Sequence, residues 1–542
     1  MTTTSATPPP EAPSAAADEP SVLEGSPDTR VGTSSSGSTG WFRALWRWHF
    51  YASFLVIPVM FLLSVTGLTI LYKWQLDPLF HPGVLTVDVP SQGAARPLSD
   101  QEAAVRAAHP NATITAVQQG ADNRATFFTV SLGEQAGERN VYVDQYTGAI
   151  TGEVDPADLP SNLATEIHGQ IVFGDLSSAS LGTDPLVASG LTRTPWSQDE
   201  LTLGKLGDGI IELGACWAII MAITGYYLFL RGRAARLRRL AKAATTGAGA
   251  RIARVRNDHA RFGAMLGVGF LLLVASGLPW TGVWGNVVQN LATGRGSSLW
   301  GEDPGATSTL GSALVEAGSN ANPAPWAEGA APLPRSGEVT GGVHAGHSHG
   351  TDASGSAGSV NIDQVVTAAL SDGMPQPYYV LYPGDETGVF SVLADQWHDK
   401  AAPAFTDTSK ERTVHVDQYS GQIIGRYSYE DYSAAARAVS QGIALHEGRR
   451  LGTFNLVTTT AFCLGVIFLC ISGPVMWWKR RPAGSGIGAP RGALPIRRTW
   501  WLPVILVILG VVFPLFGLSL LVVLGVDLGM RRLSARRGQV AT

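Results

Sequence analysis

The chain has 542 residues and a formal net charge of −4, from 39 Lys+Arg against 43 Asp+Glu; 45% of residues are hydrophobic and only 15% charged. Such a composition excludes a disordered chain and carries less charge than an ordinary soluble domain. Three cysteines exclude a disulfide scaffold, and the near-neutral total gives no sign of a nucleic-acid partner.

Residues 1–40 are rich in Ser, Thr, Pro and Ala and lack a basic segment before an apolar run, so they are expected to be a disordered cytoplasmic tail rather than a cleaved signal. A first membrane span is predicted over 41–75, since about twenty apolar residues at 1.5 Å each cross a hydrocarbon core of ~30 Å. An acidic outer α+β module follows over 76–160, then a segment 161–206 that contains a histidine and an apparent insertion. The second span covers 207–230, a basic loop 231–257, and the third span 258–285. Residues 286–358 form an outer low-complexity loop, 359–440 a second outer module, and 441–478 another histidine segment running into the fourth span. A basic loop, 479–499, precedes an apolar stretch, 500–530, which contains Pro503 and Pro514 and is long for one helix but short for two; it reads as a hairpin, giving six crossings in total. A cytoplasmic tail, 531–542, closes the chain.

Orientation follows from the arginines. RGRAARLRRLAK and KRRPAGSGIGAPRGALPIRR contain no acid, and neither does the terminal MRRLSARRG, so all three belong on the cytoplasmic side of a cytoplasmic membrane. The N-terminus lies on that side too, and the modules lie outside.

The chain repeats itself. VYVDQYTGAITG (141–152) and VHVDQYSGQIIG (414–425) agree at eight of twelve positions, and each reads as a β-hairpin with a short helix some way before it. His49 stands 17 residues before Thr66-Gly67, and His259 stands 17 before Ser276-Gly277. Thr224-Gly225 and Ser472-Gly473 match likewise in the second and fourth spans, preceded by His168 and His446. The expected fold is therefore a polytopic α-helical membrane protein: four core helices in a parallel duplicated repeat, two outer α+β modules and a C-terminal apolar hairpin. A parallel repeat places its halves about an axis along the membrane normal.

That symmetry pairs His49 with His259 near the inner face and His168 with His446 near the outer face. Neutral imidazole is a common metal ligand, and ionisable groups in spans are functional candidates by default. Two facing imidazoles can take both axial positions of a haem iron, so two b-type haems are expected; no C-x-x-C-H is present for covalent attachment. Gly67 and Gly277 at the outer depth, and Gly225 and Gly473 at the inner, are expected to clear room for the macrocycles. A single haem, another metal, or purely structural histidines remain the alternatives, since a lone histidine near a helix end is ordinarily an interfacial polar residue. His344, His347 and His349 form HAGHSHG in the outer loop, a tract able to bind a transition metal but equally a solvated linker. His415 is expected to face solvent, Asp208 and Glu212 to be exposed helix-start carboxylates, and the three cysteines to be packing residues.

The VDQYTG and VDQYSG hairpins resemble the PepSY module. RWHFYASFLVIPVMFLLSVTG, DHARFGAMLGVGFLLLVASGLPWTGVWG and ALHEGRRLGTFN…SGPVMWWKRRP resemble the PepSY-associated transmembrane family, also described as iron-regulated membrane proteins, over residues 41 to 530. The resemblance implies haem held between four helices by His49, His168, His259 and His446, and a role as a ferric-siderophore reductase. The insertion after Gly174 and the His-rich loop depart from that pattern. The expected activity is electron transfer to an outer ferric-chelate acceptor. With no dinucleotide fingerprint in the chain, the donor is a separate cytoplasmic reductase or a membrane quinol. The rival is a membrane-anchored PepSY scaffold that binds or restrains other envelope proteins. A metal transporter would need polar groups at mid-span, which are scarce here.

Overall fold

The computed structural model describes residues 36–91, 93–133, 137–183, 200–242, 247–285, 336, 360–385, 387–394, 407–432, 434–479, 501–525 and 529. In chain order the first half contains α1 (Ser36–Leu71), α2 (Lys73–Phe80), α3 (Leu98–Ala108), β1 (Thr113–Gln118), β2 (Thr126–Ser131), β3 (Glu138–Val143), β4 (Ile150–Val154), α4 (Pro160–Gln170), α5 (Asp175–Ser178), β5 (Ser180–Thr183), β6 (Glu200–Thr202), α6 (Leu203–Arg231) and the basic α7 (Arg233–Lys242). The second half contains α8 (Ala248–Gly277), α9 (Ile362–Ser371), β7 (Tyr379–Leu381), β8 (Val389–Ala394), β9 (Arg412–Asp417), β10 (Ile423–Ser428), α10 (Ala434–His446), α11 (Thr453–Trp478) and the arms α12 (Trp501–Val512) and α13 (Pro514–Gly525). The first helix begins at Ser36, inside the stretch expected to be tail.

Among the described residues, four helices are long and apolar enough to cross a membrane: Trp41–Leu71, Leu203–Arg231, Gly249–Gly277 and Thr453–Trp478. Helix α1 packs against α6 and α11, and α8 packs against the same two, so the four close into a ring. Small residues permit the close contacts. A Cβ on Gly214 would stand 2.8 Å from Val59, and one on Gly269 would overlap the Phe462 ring. Helix α4 lies against α1 and α6, and α10 lies against α8.

Eight of the ten described strands form one sheet, in the order β10-β9-β8-β7-β1-β2-β3-β4, and β5 pairs with β6 in a separate two-stranded sheet. The two modules expected from the repeat are therefore joined edge to edge: β1 pairs antiparallel with β7, Ala116 opposite Leu381 and Val117 opposite Val380. Without that junction each module would expose an apolar edge strand. One face of the sheet carries α3 and α9, with Val105, Val365 and Ala369 buried on Phe128, Val141, Val392 and Val414. The other face presents Phe127, Tyr142 and Tyr379 towards the helix ring. The DQYTG and DQYSG turns are built alike. Asp144 and Asp417 each accept a backbone N–H two residues on, at 2.8 Å, and Gly148 and Gly421 take the positive φ (76° and 69°) that lets the chain reverse.

The C-terminal stretch reverses at Phe513. A Cβ on Gly510 would stand 3.1 Å from the Cα of Gly517, whereas seven residues of continuous helix would separate them by about 10 Å. The described residues 501–525 therefore double back on themselves in two arms shorter than the four spans. Twelve residues of α12 reach roughly 18 Å, well short of a ~30 Å core. It docks on α6 and α8, with Phe516 buried among Ala215, Cys216 and Val274, and Trp217 Nε1 donating to Ser519 Oγ at 3.1 Å.

Candidate functional site

Each of the four histidines pairs with a hydroxyl-glycine step on another helix. His49 Nδ1 lies 3.1 Å from the Met221 carbonyl and 3.1 Å from Thr224 Oγ1. His446 Nδ1 lies 3.1 Å from the Leu273 carbonyl and 3.0 Å from Ser276 Oγ. His168 Nδ1 meets Thr66 Oγ1 at 2.8 Å, and His259 Nδ1 meets Ser472 Oγ at 2.7 Å. Every one of these hydroxyls also donates its own proton back along its helix: Thr66 to Leu62, Thr224 to Ile220, Ser276 to Leu273, Ser472 to Leu469. The hydroxyl oxygen is therefore left to accept, so the imidazole donates Nδ1–H and carries its lone pair on Nε2. No Nε2 of the four has a hydrogen-bond partner among the described residues.

Three of the four glycines stand close beside imidazole rings. Gly67, Gly225 and Gly277 seat imidazole rings, since a Cβ there would stand 3.4, 3.3 and 3.3 Å from Cε1 of His168, His49 and His446. At Gly473 the corresponding gap to His259 is 4.0 Å, with Ile57 nearer at 3.5 Å. The clearance they supply lets the imidazole edge of a histidine on a neighbouring helix come close to the backbone.

The rings of His168 and His446 face each other with centroids 6.3 Å apart and planes at 81°. Two metal–nitrogen bonds of about 2.0 Å, plus about 1.1 Å from each nitrogen to its ring centre, give the same separation for two imidazoles sharing one ion from opposite sides. Burial, with His446 close by, pushes His168 down to about 3, and burial also lowers His446. Both are therefore neutral at ordinary pH, the form that ligates metals. His49 and His259 lie on α1 and α8, at the end of the ring away from the sheet.

A cavity of about 1040 Å³ opens between the sheet and the ring. His168, His446, Gly67 and Gly277 line its floor, and Trp74, Arg124, Phe127 and Tyr379 line the side towards the sheet. It is apolar over most of its wall with a few polar groups, the make-up of a small-molecule site. A flat, wide prosthetic group between His168 and His446 fits this donor set and this space: two buried neutral imidazoles, each with a free, correctly assigned nitrogen.

Three expectations are corrected. Glu212 is fully buried, not exposed, and accepts from the backbone N–H groups of Val283 (3.0 Å) and Trp284 (2.9 Å). Asp208 points into the same turn at Gly282 and lines the cavity. These carboxylates bind the N–H groups of a neighbouring turn, which a reading of their own helix alone could not reveal. His415 is 1% exposed, with Nδ1 2.9 Å from Ser391 Oγ, because the strand that carries it is covered on both faces. His344, His347 and His349 lie outside the described residues. The hydroxyls that orient the imidazoles were visible as Thr-Gly and Ser-Gly pairs, but only their glycines had been given a role.

The family model described as the PepSY-associated TM region matches residues 46–480. None of the curated proteins matches the chain.

Proposed function

The chain is a membrane protein of the PepSY-associated transmembrane family, and from that premise we propose that it passes electrons across a cytoplasmic membrane through two bis-histidine b-type haems to a ferric chelate outside. The observation that carries the reading is the fourfold arrangement of an imidazole with its Nδ1–H on a hydroxyl and its Nε2 without a hydrogen-bond partner among the described residues, three of the four beside a glycine. His168 and His446 hold the group nearer the sheet, and His49 and His259 hold the other. The two halves are a parallel duplication, which accounts for four like settings in two pairs. The sheet of PepSY-like modules lies outside and the basic α7 lies inside, by the arginine rule.

When bound, each haem supplies a one-electron couple whose potential its axial ligands and their surroundings set. The chain's residues do the rest. Thr66, Thr224, Ser276 and Ser472 fix the tautomer and ring angle, as outer-shell partners of metal-bound histidine do. The glycine seats hold the rings against the bundle, and burial excludes water. One electron converts Fe(III) to Fe(II), which is softer and less charged, so a hard-oxygen chelate loosens its hold. The donor is a separate cytoplasmic reductase or a membrane quinol.

The test is haem-to-protein stoichiometry of purified protein made with ample haem, with the Soret band before and after dithionite. Two haems are expected in the wild type, and one in each of the His→Ala variants at 49, 168, 259 and 446. A colourless wild type would favour the scaffold role instead.

A further inference from the structure

The side of the cavity nearest the sheet holds hydrogen-bond donors that the fold leaves over. Trp74 Nε1 is buried and has no partner among the described residues, a costly condition for an indole N–H. Arg124, from the turn before β2, donates one guanidinium N–H to the Trp74 carbonyl; it makes no other side-chain hydrogen bond among the described residues, leaving most of its five donors unspent. The Lys73 ammonium stands 4.2 Å over the Trp74 ring, and all three residues line the cavity. The nearby acids are engaged: Asp77 accepts from Ser161 N at 3.0 Å and from Ser161 Oγ at 2.6 Å, and Glu447 pairs with Arg449. Asp77 also sets the spacing, because Ser161 begins the helix that carries His168 seven residues later, roughly 10 Å along the axis.

We propose that Arg124, the Trp74 indole N–H and Lys73 form a carboxylate-binding site in the cavity wall, whose ligand is a carboxylate on the rim of the haem held between His168 and His446. The inference rests on the haem reading. The same chemistry would also receive a carboxylate of the incoming ferric chelate. A forked guanidinium beside an N–H donor suits a planar two-oxygen anion, and an apolar surround strengthens each charge-assisted bond. A bound carboxylate would pair the Trp74 N–H and take up the guanidinium donors of Arg124 that no side-chain hydrogen bond uses.

The test uses the full-length protein in detergent, with Arg124→Gln and Trp74→Phe; the latter removes the N–H together with the five-membered part of the indole and keeps an aromatic ring under Lys73. Loss of haem to excess apomyoglobin is followed in each, with the His49/His259 haem as internal control. Each variant should release one haem about tenfold faster, the equivalent of one charge-assisted bond, and leave the other unchanged. Wild type reconstituted with haem dimethyl ester should release that haem at the variant's rate, and the variants should no longer distinguish ester from acid. If wild type does not distinguish them but both variants lose affinity for ferric citrate, the carboxylate belongs to the chelate and the site stands. If neither haem release nor ferric citrate binding changes in either variant, the site is overturned. Failure of the haem reading would appear separately, as unchanged haem content in His168→Ala and His446→Ala; the ferric citrate arm would then decide the site alone.

Discussion

Thr66, Thr224, Ser276 and Ser472 act on the imidazoles through one atom each, an oxygen whose own proton is already committed to its helix. Ser472→Ala removes the one acceptor for His259 Nδ1 among the described residues, so the ring loses its set tautomer. Haem should persist with affinity lowered about 10- to 100-fold, read as faster release and a shifted midpoint potential. Thr224→Ala should cost less, because the Met221 carbonyl still accepts from His49. His415 offers a separate test in the sheet. Burial pushes it down to about 4, whereas an unfolded imidazole titrates near 6.5. Between those values the unfolded chain holds the extra proton, so stability falls as pH drops from about 6.5 to 4, by on the order of 3 kcal/mol. Thermal melts across that window should show this acid limb, and His415→Gln should flatten it.

Among the elements, the start of α6 and the turn 281–284 are joined by carboxylate hydrogen bonds as well as by apolar packing. Glu212→Ala strips the acceptor from two buried backbone N–H groups and should cost about 2–4 kcal/mol, seen as a lower melting temperature; Glu212→Gln, which keeps a carbonyl, should recover part of it. The hairpin formed by α12 and α13 depends on contact between two glycine backbones. Gly517→Val would drive a side chain into Gly510, where a Cβ already meets the carbonyl oxygen at 2.6 Å. The expected result is a displaced hairpin, detected as increased proteolysis near 513, with haem content intact because the hairpin lies on the far side of α6 and α8 from the histidines. The spans and hairpin turns were legible from apolar length and from the DQYTG and DQYSG repeats, since those signals are local. The burial of Glu212 and His415 was not, because it is conferred by elements distant in the chain.

For the whole molecule, the ring of four spans carries two like pairs of histidines at its two ends, and the sheet covers one end only. The end under the sheet has a chamber of about 1040 Å³, which under the proposed function would be the side that meets the acceptor. His259→Ala should therefore remove one haem and stop transfer through the bundle, yet leave the His168/His446 haem spectrally present and reducible by an outside reductant; loss of both haems together would mean that the pairs are not independent.

Much of this protein was determined by sequence alone. Apolar runs of fixed length specify the four spans, arginine placement argues their direction, and equal spacing of His, Thr/Ser and Gly in both halves marks the residues that come together. These are properties of one segment or of two segments compared, and they need no knowledge of packing. Only the tertiary structure decided which helix each histidine leans on, that the glycines seat imidazoles, that the modules share one sheet, and that Trp74 and Arg124 face the chamber. Those outcomes depend on which surfaces meet, and the meeting is set by close packing and buried hydrogen-bond demand summed over the entire fold.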